Sequence, residues 1–107
     1  MKLYFENLSP HDKIYYQNIE SFIDSIGRYI EHRFPPGDFG MAVLENKFVD
    51  AVGRADSFNQ RNLVLISQYV YNMIPANSWG SPEIVRRWLN PVTRDERMKN
   101  VSDNDGE

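Results

Sequence analysis

Apolar residues recur along this chain at three- and four-residue steps, first at Tyr15, Ile19, Phe22, Ile23, Ile26 and Ile30. That spacing puts them on one stripe of a long amphipathic helix. Its start is signalled by Ser9-Pro10-His11-Asp12: a serine to cap free amides, a proline suited to the first helical position and an acid in the positive first turn. Its end falls before Pro35-Pro36, because a residue preceding proline avoids helical backbone angles. Gly27, within the stripe, costs about 1 kcal/mol of helix propensity against alanine and points to close approach of another backbone. Ahead of the helix, Leu3, Tyr4, Phe5 and Leu8 read as an arm packed on the body or on a neighbouring subunit.

A second helix is expected from Asp38, read as its N-cap, with Leu44, Phe48, Ala51, Val52 and Ala55 on one face. Ala42, Val43 and Val49 give it a second face, as in a helix sandwiched between partners. Ser57-Phe58-Asn59-Gln60 fits a capping box and opens a third helix running to Ile74, where Pro75 closes it. Between Leu63 and Ile74 that helix is apolar on most of its circumference, which predicts a central position; its β-branched residues leave a strand over Leu63–Ile66 as the competing reading. Ser81-Pro82-Glu83 opens a short fourth helix ending at Leu89. The expected fold is all-α: a compact bundle of three main helices and a short C-terminal helix in one domain over residues 1–91. Residues 92–107, polar and rich in charge, read as a flexible tail.

Composition narrows the chemistry. At 107 residues one domain is expected, of a size where self-association commonly adds burial. No apolar run is long enough for a bilayer, and the amino terminus lacks the apolar core of a signal peptide, so no membrane association and a cytoplasmic location are expected. The absence of cysteine excludes disulfides, thiolate nucleophiles and cysteine-held zinc. Residues 1–91 hold nine Lys/Arg against ten Asp/Glu, and residues 92–107 hold three against five. A near-neutral body with an acidic tail offers no footprint for duplex nucleic acid; Arg86, Arg87 and Arg94 read as a solvated helix face.

No catalytic set assembles from sequence. His11 and His32 lie twenty-one positions apart without metal-ligand spacing. The pair Asp24 and Asp50 carries no sign of the separation or shifted pKa that carboxylate catalysis needs. Asp38-Phe39-Gly40 resembles a kinase metal motif only in isolation. The expectation is a non-enzymatic protein with no cofactor and no metal.

The unusual residues gather between Phe34 and Asn62. Arg54 suits a forked contact to phosphate and Asp56 suits a hydroxyl or base amino group, but the favoured reading of both is at helix ends, Asp56 at a helix start and Arg54 on the preceding helix's last carbonyls. Asn46 and Asn62 read as buried register-setting hydrogen-bonding groups. Phe39 and Trp79, flanking helix starts, suit stacking on a base or lidding of the core.

The runs P-P-G-D-F-G-M-A-V-L-E-N-K-F-V-D-A-V-G-R-A-D and W-G-S-P-E-I-V-R-R-W resemble a family of small bacteriophage and prophage proteins with P-P-G-x-F, A-V-L-x-N, R-A-D and W-G-S motifs. The resemblance covers residues 29–89; the Asp-Leu usual after the asparagine is replaced here by Lys47-Phe48. It implies a phage accessory role in the host cytoplasm, often counter-defence, and carries no catalytic residue. Two expectations follow. One is a homo-oligomer that sequesters a nucleotide-type immune signal, cyclic nucleotide or ADP-ribose-like, at a boundary lined by Arg33, Phe39, Arg54, Asp56 and Trp79. The other is an interaction module that inhibits or redirects a host protein through the helix carrying Arg86, Arg87 and Trp88.

Overall fold

A computed structural model describes residues 3–90; the expected flexible tail and Arg94 lie outside them. The described chain is mostly helical, with no strand among the described residues. The helices are α1 (Pro10–Tyr16), α2 (Glu20–His32), α3 (Asp38–Leu44), α4 (Phe48–Arg54), α5 (Ser57–Arg61), α6 (Leu63–Met73) and α7 (Pro82–Leu89), with short 3-10 turns at Phe5–Asn7, Gln17–Ile19 and Ala76–Ser78. None of them is long and apolar enough to cross a membrane.

Each of the three long helices expected from periodicity is interrupted. The first divides at the turn Gln17–Ile19, where Tyr16 and Ile19 leave helical angles. The second divides at Asn46, which takes a left-handed conformation with φ 62°. There the amide of Lys47 donates to the Ala42 carbonyl at 2.9 Å and that of Asn46 to Val43 at 3.0 Å. This is a Schellman ending, with asparagine in the place glycine usually holds. The third divides at Asn62, whose side-chain amide donates back to the Phe58 carbonyl at 2.9 Å. Asn46 and Asn62 are therefore helix breakers, not a buried pair; both are short polar residues that satisfy backbone locally, and periodicity alone does not register them. Two caps also move by one residue. Gly37, not Asp38, is the N-cap of α3, and Asp56, not Ser57, caps α5 by accepting from the Asn59 amide at 2.8 Å.

The central helix is α2, not α6. Phe22, Ile23, Ile26, Tyr29 and Ile30 are buried and meet Leu44 of α3, Ile66, Tyr69 and Val70 of α6, and Val85 of α7. One side of α6 reaches this core, with Ile66, Tyr69, Val70 and the following Ile74 buried and Leu65 and Met73 packed against them, while Val64, Ser67, Gln68, Tyr71 and Asn72 are exposed. The reason is layer geometry: α6 packs on α2 with one side, and among the described residues no second helix covers the other.

Two buried tyrosines tie distant segments to this core. Tyr69 donates to the Leu3 carbonyl at 3.2 Å and Tyr29 to the Ser78 carbonyl at 2.7 Å. Burial pushes both hydroxyls above the usual tyrosine range, which keeps them protonated as donors. The arm is held on the body itself, through Tyr69, through burial of Leu3 and Leu8, and through the Phe5 amide, which donates to the Asp24 carboxylate at 2.9 Å. Gly27 serves this docking. A β-carbon there would lie 2.7 Å from Tyr4 Cδ1, so the close neighbour is the arm's aromatic ring and not a helix backbone.

Gly27→Ala is therefore expected to destabilise the protein, overpacking at about 1–3 kcal/mol outweighing about 1 kcal/mol of helix propensity. In a Tyr4→Ala background the same change is expected to stabilise by about 1 kcal/mol. Denaturant midpoints of the four proteins of this cycle check the sign reversal; equal effects in both backgrounds contradict it.

Candidate functional site

Of the five residues expected to line a ligand site, each engages a residue outside the set. Arg33 closes α2 in a left-handed conformation with φ 56°. Its guanidinium lies 3.8 Å above the Trp88 ring and donates to the Ile30 carbonyl at 2.7 Å. A cation at a helix C-terminus, stacked on an indole, is satisfied twice over. Phe39 meets Phe22 edge to face, with ring centroids 6.0 Å apart. Asp56 is spent on the cap of α5.

Arg54 is the most available of the five. It ends α4, its side chain is 53% exposed, and its carboxylate neighbour is Asp38 at 3.5 Å, itself 86% exposed. Because Asp38 precedes Phe39 in the first turn of α3, this pair brings Arg54 near Phe39 and joins the free ends of α3 and α4. Trp79 belongs elsewhere. It follows the turn Ala76–Ser78, and the amide of Gly80 donates to the Leu44 carbonyl at 2.7 Å, capping the open end of α3. Gly80 has φ 124°, an angle that other residues rarely hold.

The motif residues thus have structural work. Asn46 turns the chain, Asp56 and Ser81 cap α5 and α7, Gly80 caps α3, and Trp88 donates its indole N–H to the Tyr29 carbonyl at 3.0 Å. Trp88 faces inward, so it does not stand out as an anchor beside the exposed Arg86 and Arg87. Of the other candidates, Asp24 holds the arm, Asp50 is exposed on α4, and His11 and His32 are exposed at opposite ends of the α1–α2 segment. Among the described residues no group of three or more His, Asp or Glu is placed to hold a metal.

What the fold leaves open is apolar. A groove of about 560 Å³ runs between α3 and α4 on one side and α6 on the other, with Trp79 at its wall. Ala42, Val43 and Ala51 line it from the first side, and Leu63 and Val70 from the second. Phe48, Val64 and Tyr71 also line it and are 67%, 74% and 77% exposed. Polar residues sit around these: Asn46, Lys47, Ser67, Gln68 and Asn72. Lys47 is paired with Glu45 at 3.2 Å, and Gln68 accepts from the Tyr15 hydroxyl at 2.8 Å. An apolar floor within a polar surround is the usual build of a binding cleft or a protein-docking groove. From sequence, the all-round apolarity of residues 63–74 was the available signal for this surface, but it reads equally as a fully buried helix.

Comparison with protein-family models, with curated proteins and with solved structures finds no match to this chain.

Replacing Asp56 by Ala is expected to lower stability by about 1 kcal/mol through loss of the cap. Replacing Arg54 by Ala is expected to change it by less than about 0.5 kcal/mol, as for other exposed ion pairs. Thermal and urea unfolding of the two variants check this ordering; a larger loss for Arg54→Ala contradicts it.

Proposed function

We propose that this protein is a non-enzymatic interaction protein that acts by occupancy, laying an apolar surface of another polypeptide into the groove between α3–α4 and α6. The observation that supports this most is the exposure of Phe48, Val64 and Tyr71 around one groove. Contiguous apolar surface of this kind costs solubility and is characteristic of contact sites. Helix-in-groove recognition fits the shape, with apolar side chains of the guest entering between two helix rows. The resemblance to small phage proteins supports placing the guest among host proteins in the cytoplasm, where occupancy inhibits or redirects its target.

A photo-crosslinking residue at Asn72, on the groove, compared with one at Arg87, on α7, tests this reading in expressing cells. Adducts to a polypeptide from position 72 and not from position 87 are expected. No adduct from position 72, or adducts from position 87 alone, overturns it.

A second reading keeps the expected nucleotide-type ligand, and the exposed guanidinium of Arg54 supports it. Within one protomer Arg33, Phe39 and Asp56 are taken up by Trp88, Phe22 and the cap of α5, and Trp79 stands in the groove wall, so this reading needs a second subunit to complete the site. Native mass spectrometry of gently purified protein is expected, on this reading, to show an oligomer with a nucleotide-sized mass that Arg54→Ala loses; a ligand-free protein in both cases counts against it.

A further inference from the structure

The groove and the side chains that stand beside it belong to one face, which bears on what fills it. We infer that the groove is closed by a second copy of this chain, in a two-fold arrangement that sets α6 against α6 of the partner copy. The inference rests on the groove being the working surface: the second copy is its resident occupant, and a host guest is one that displaces it.

A two-fold contact brings the same patch of both subunits together, so the patch must be complementary to itself. This one carries both halves of such a fit. Phe48 and Tyr71 project as rings, and the groove between α4 and α6 accepts a ring from across the axis. On α6, Val64, Ser67 and Tyr71 succeed one another at i, i+3 and i+7 and all are exposed. The small side chain of Ser67 at the middle of that row allows two helices to approach to about 8–10 Å.

Charge selects the same occupant. Among the groove residues Lys47 is the charged one, and it is already paired with Glu45. An acidic or basic guest therefore gains no complementary partner, whereas a neutral apolar face meets its own copy without repulsion. Such depletion of charge marks the centre of protein interfaces. Area sets the scale. At their exposures Phe48, Val64 and Tyr71 present on the order of 400 Å², about half of the roughly 800 Å² per partner of a stable complex, and Asn46, Ser67, Gln68 and Asn72 share the same face. The 107-residue chain thereby gains the burial that its one-sided α6 lacks.

Sedimentation equilibrium of the full chain tests this with Val64→Glu, Tyr71→Glu and, as a control, Ile14→Glu on α1. All three positions are exposed, and circular dichroism melts establish that the variants fold. The expected result is a wild-type dimer that Ile14→Glu preserves and that either groove variant weakens by about thirty-fold or more, the scale of an interface hot spot. A dimer insensitive to both groove variants overturns the inference, as does a wild-type monomer at every concentration. In the monomer case an apolar dye, anilinonaphthalene sulfonate, separates the two levels. Uptake lost in Val64→Glu retains the groove as a binding surface for a different polypeptide, while no uptake removes that reading too.

Discussion

Tyr29 is the point on which the described fold turns. It is fully buried near the end of α2, its hydroxyl donates to the Ser78 carbonyl, and its own carbonyl accepts the Trp88 indole N–H. One residue thus joins the central helix to the loop before α7 and to α7 itself. The loop then passes the constraint on, because the Gly80 amide caps α3 at Leu44. Arg33, stacked on Trp88 and bonded to Ile30, seals the same end of α2. Removing the Tyr29 hydroxyl would leave a buried carbonyl without its donor, a cost of about 1–3 kcal/mol concentrated where these elements meet.

That constraint also places the groove. With α3 fixed by its cap and α6 fixed to α2 by Ile66, Tyr69 and Val70, the left-handed turn at Asn46 directs α4 back along α3 instead of onward over α6. Among the described residues the far side of α6 is left uncovered, and Trp79, held next to Gly80, stands in the resulting wall. The apolar surface is a consequence of how the helices are broken. A continuous helix over residues 38–54 would follow a different course past α6.

Much of the helical content was legible because amphipathic spacing and proline or serine start signals act locally. Ser9 and Ser81 cap where their sequence context says they should, accepting from the amides of Asp12 and Ile84. The breaks were less legible. Asn46 and Asn62 carry their effect through backbone angles that depend on which carbonyls lie within reach, and a hydropathy pattern does not contain that information. The centrality assigned to residues 63–74 failed for a related reason: apolarity on every side shows that a helix seeks cover, not whether its own chain supplies it. The candidate site divides in the same way. Arg33, Asp56 and Trp79 were conspicuous as residue types, yet their roles depend on partners at Trp88, Asn59 and the groove wall that spacing does not reveal.

The central claim is that the groove beside α6 is covered by another polypeptide, in the first instance a second copy. Trp79 reports on it directly once Trp88→Phe removes the other indole of the described chain. Acrylamide quenching of that single tryptophan, at high protein concentration and with or without Tyr71→Glu, is the measurement to make. The account predicts a shielded Trp79 that becomes several-fold more quenchable when Tyr71→Glu opens the groove. Equal quenching in the two folded proteins would contradict it.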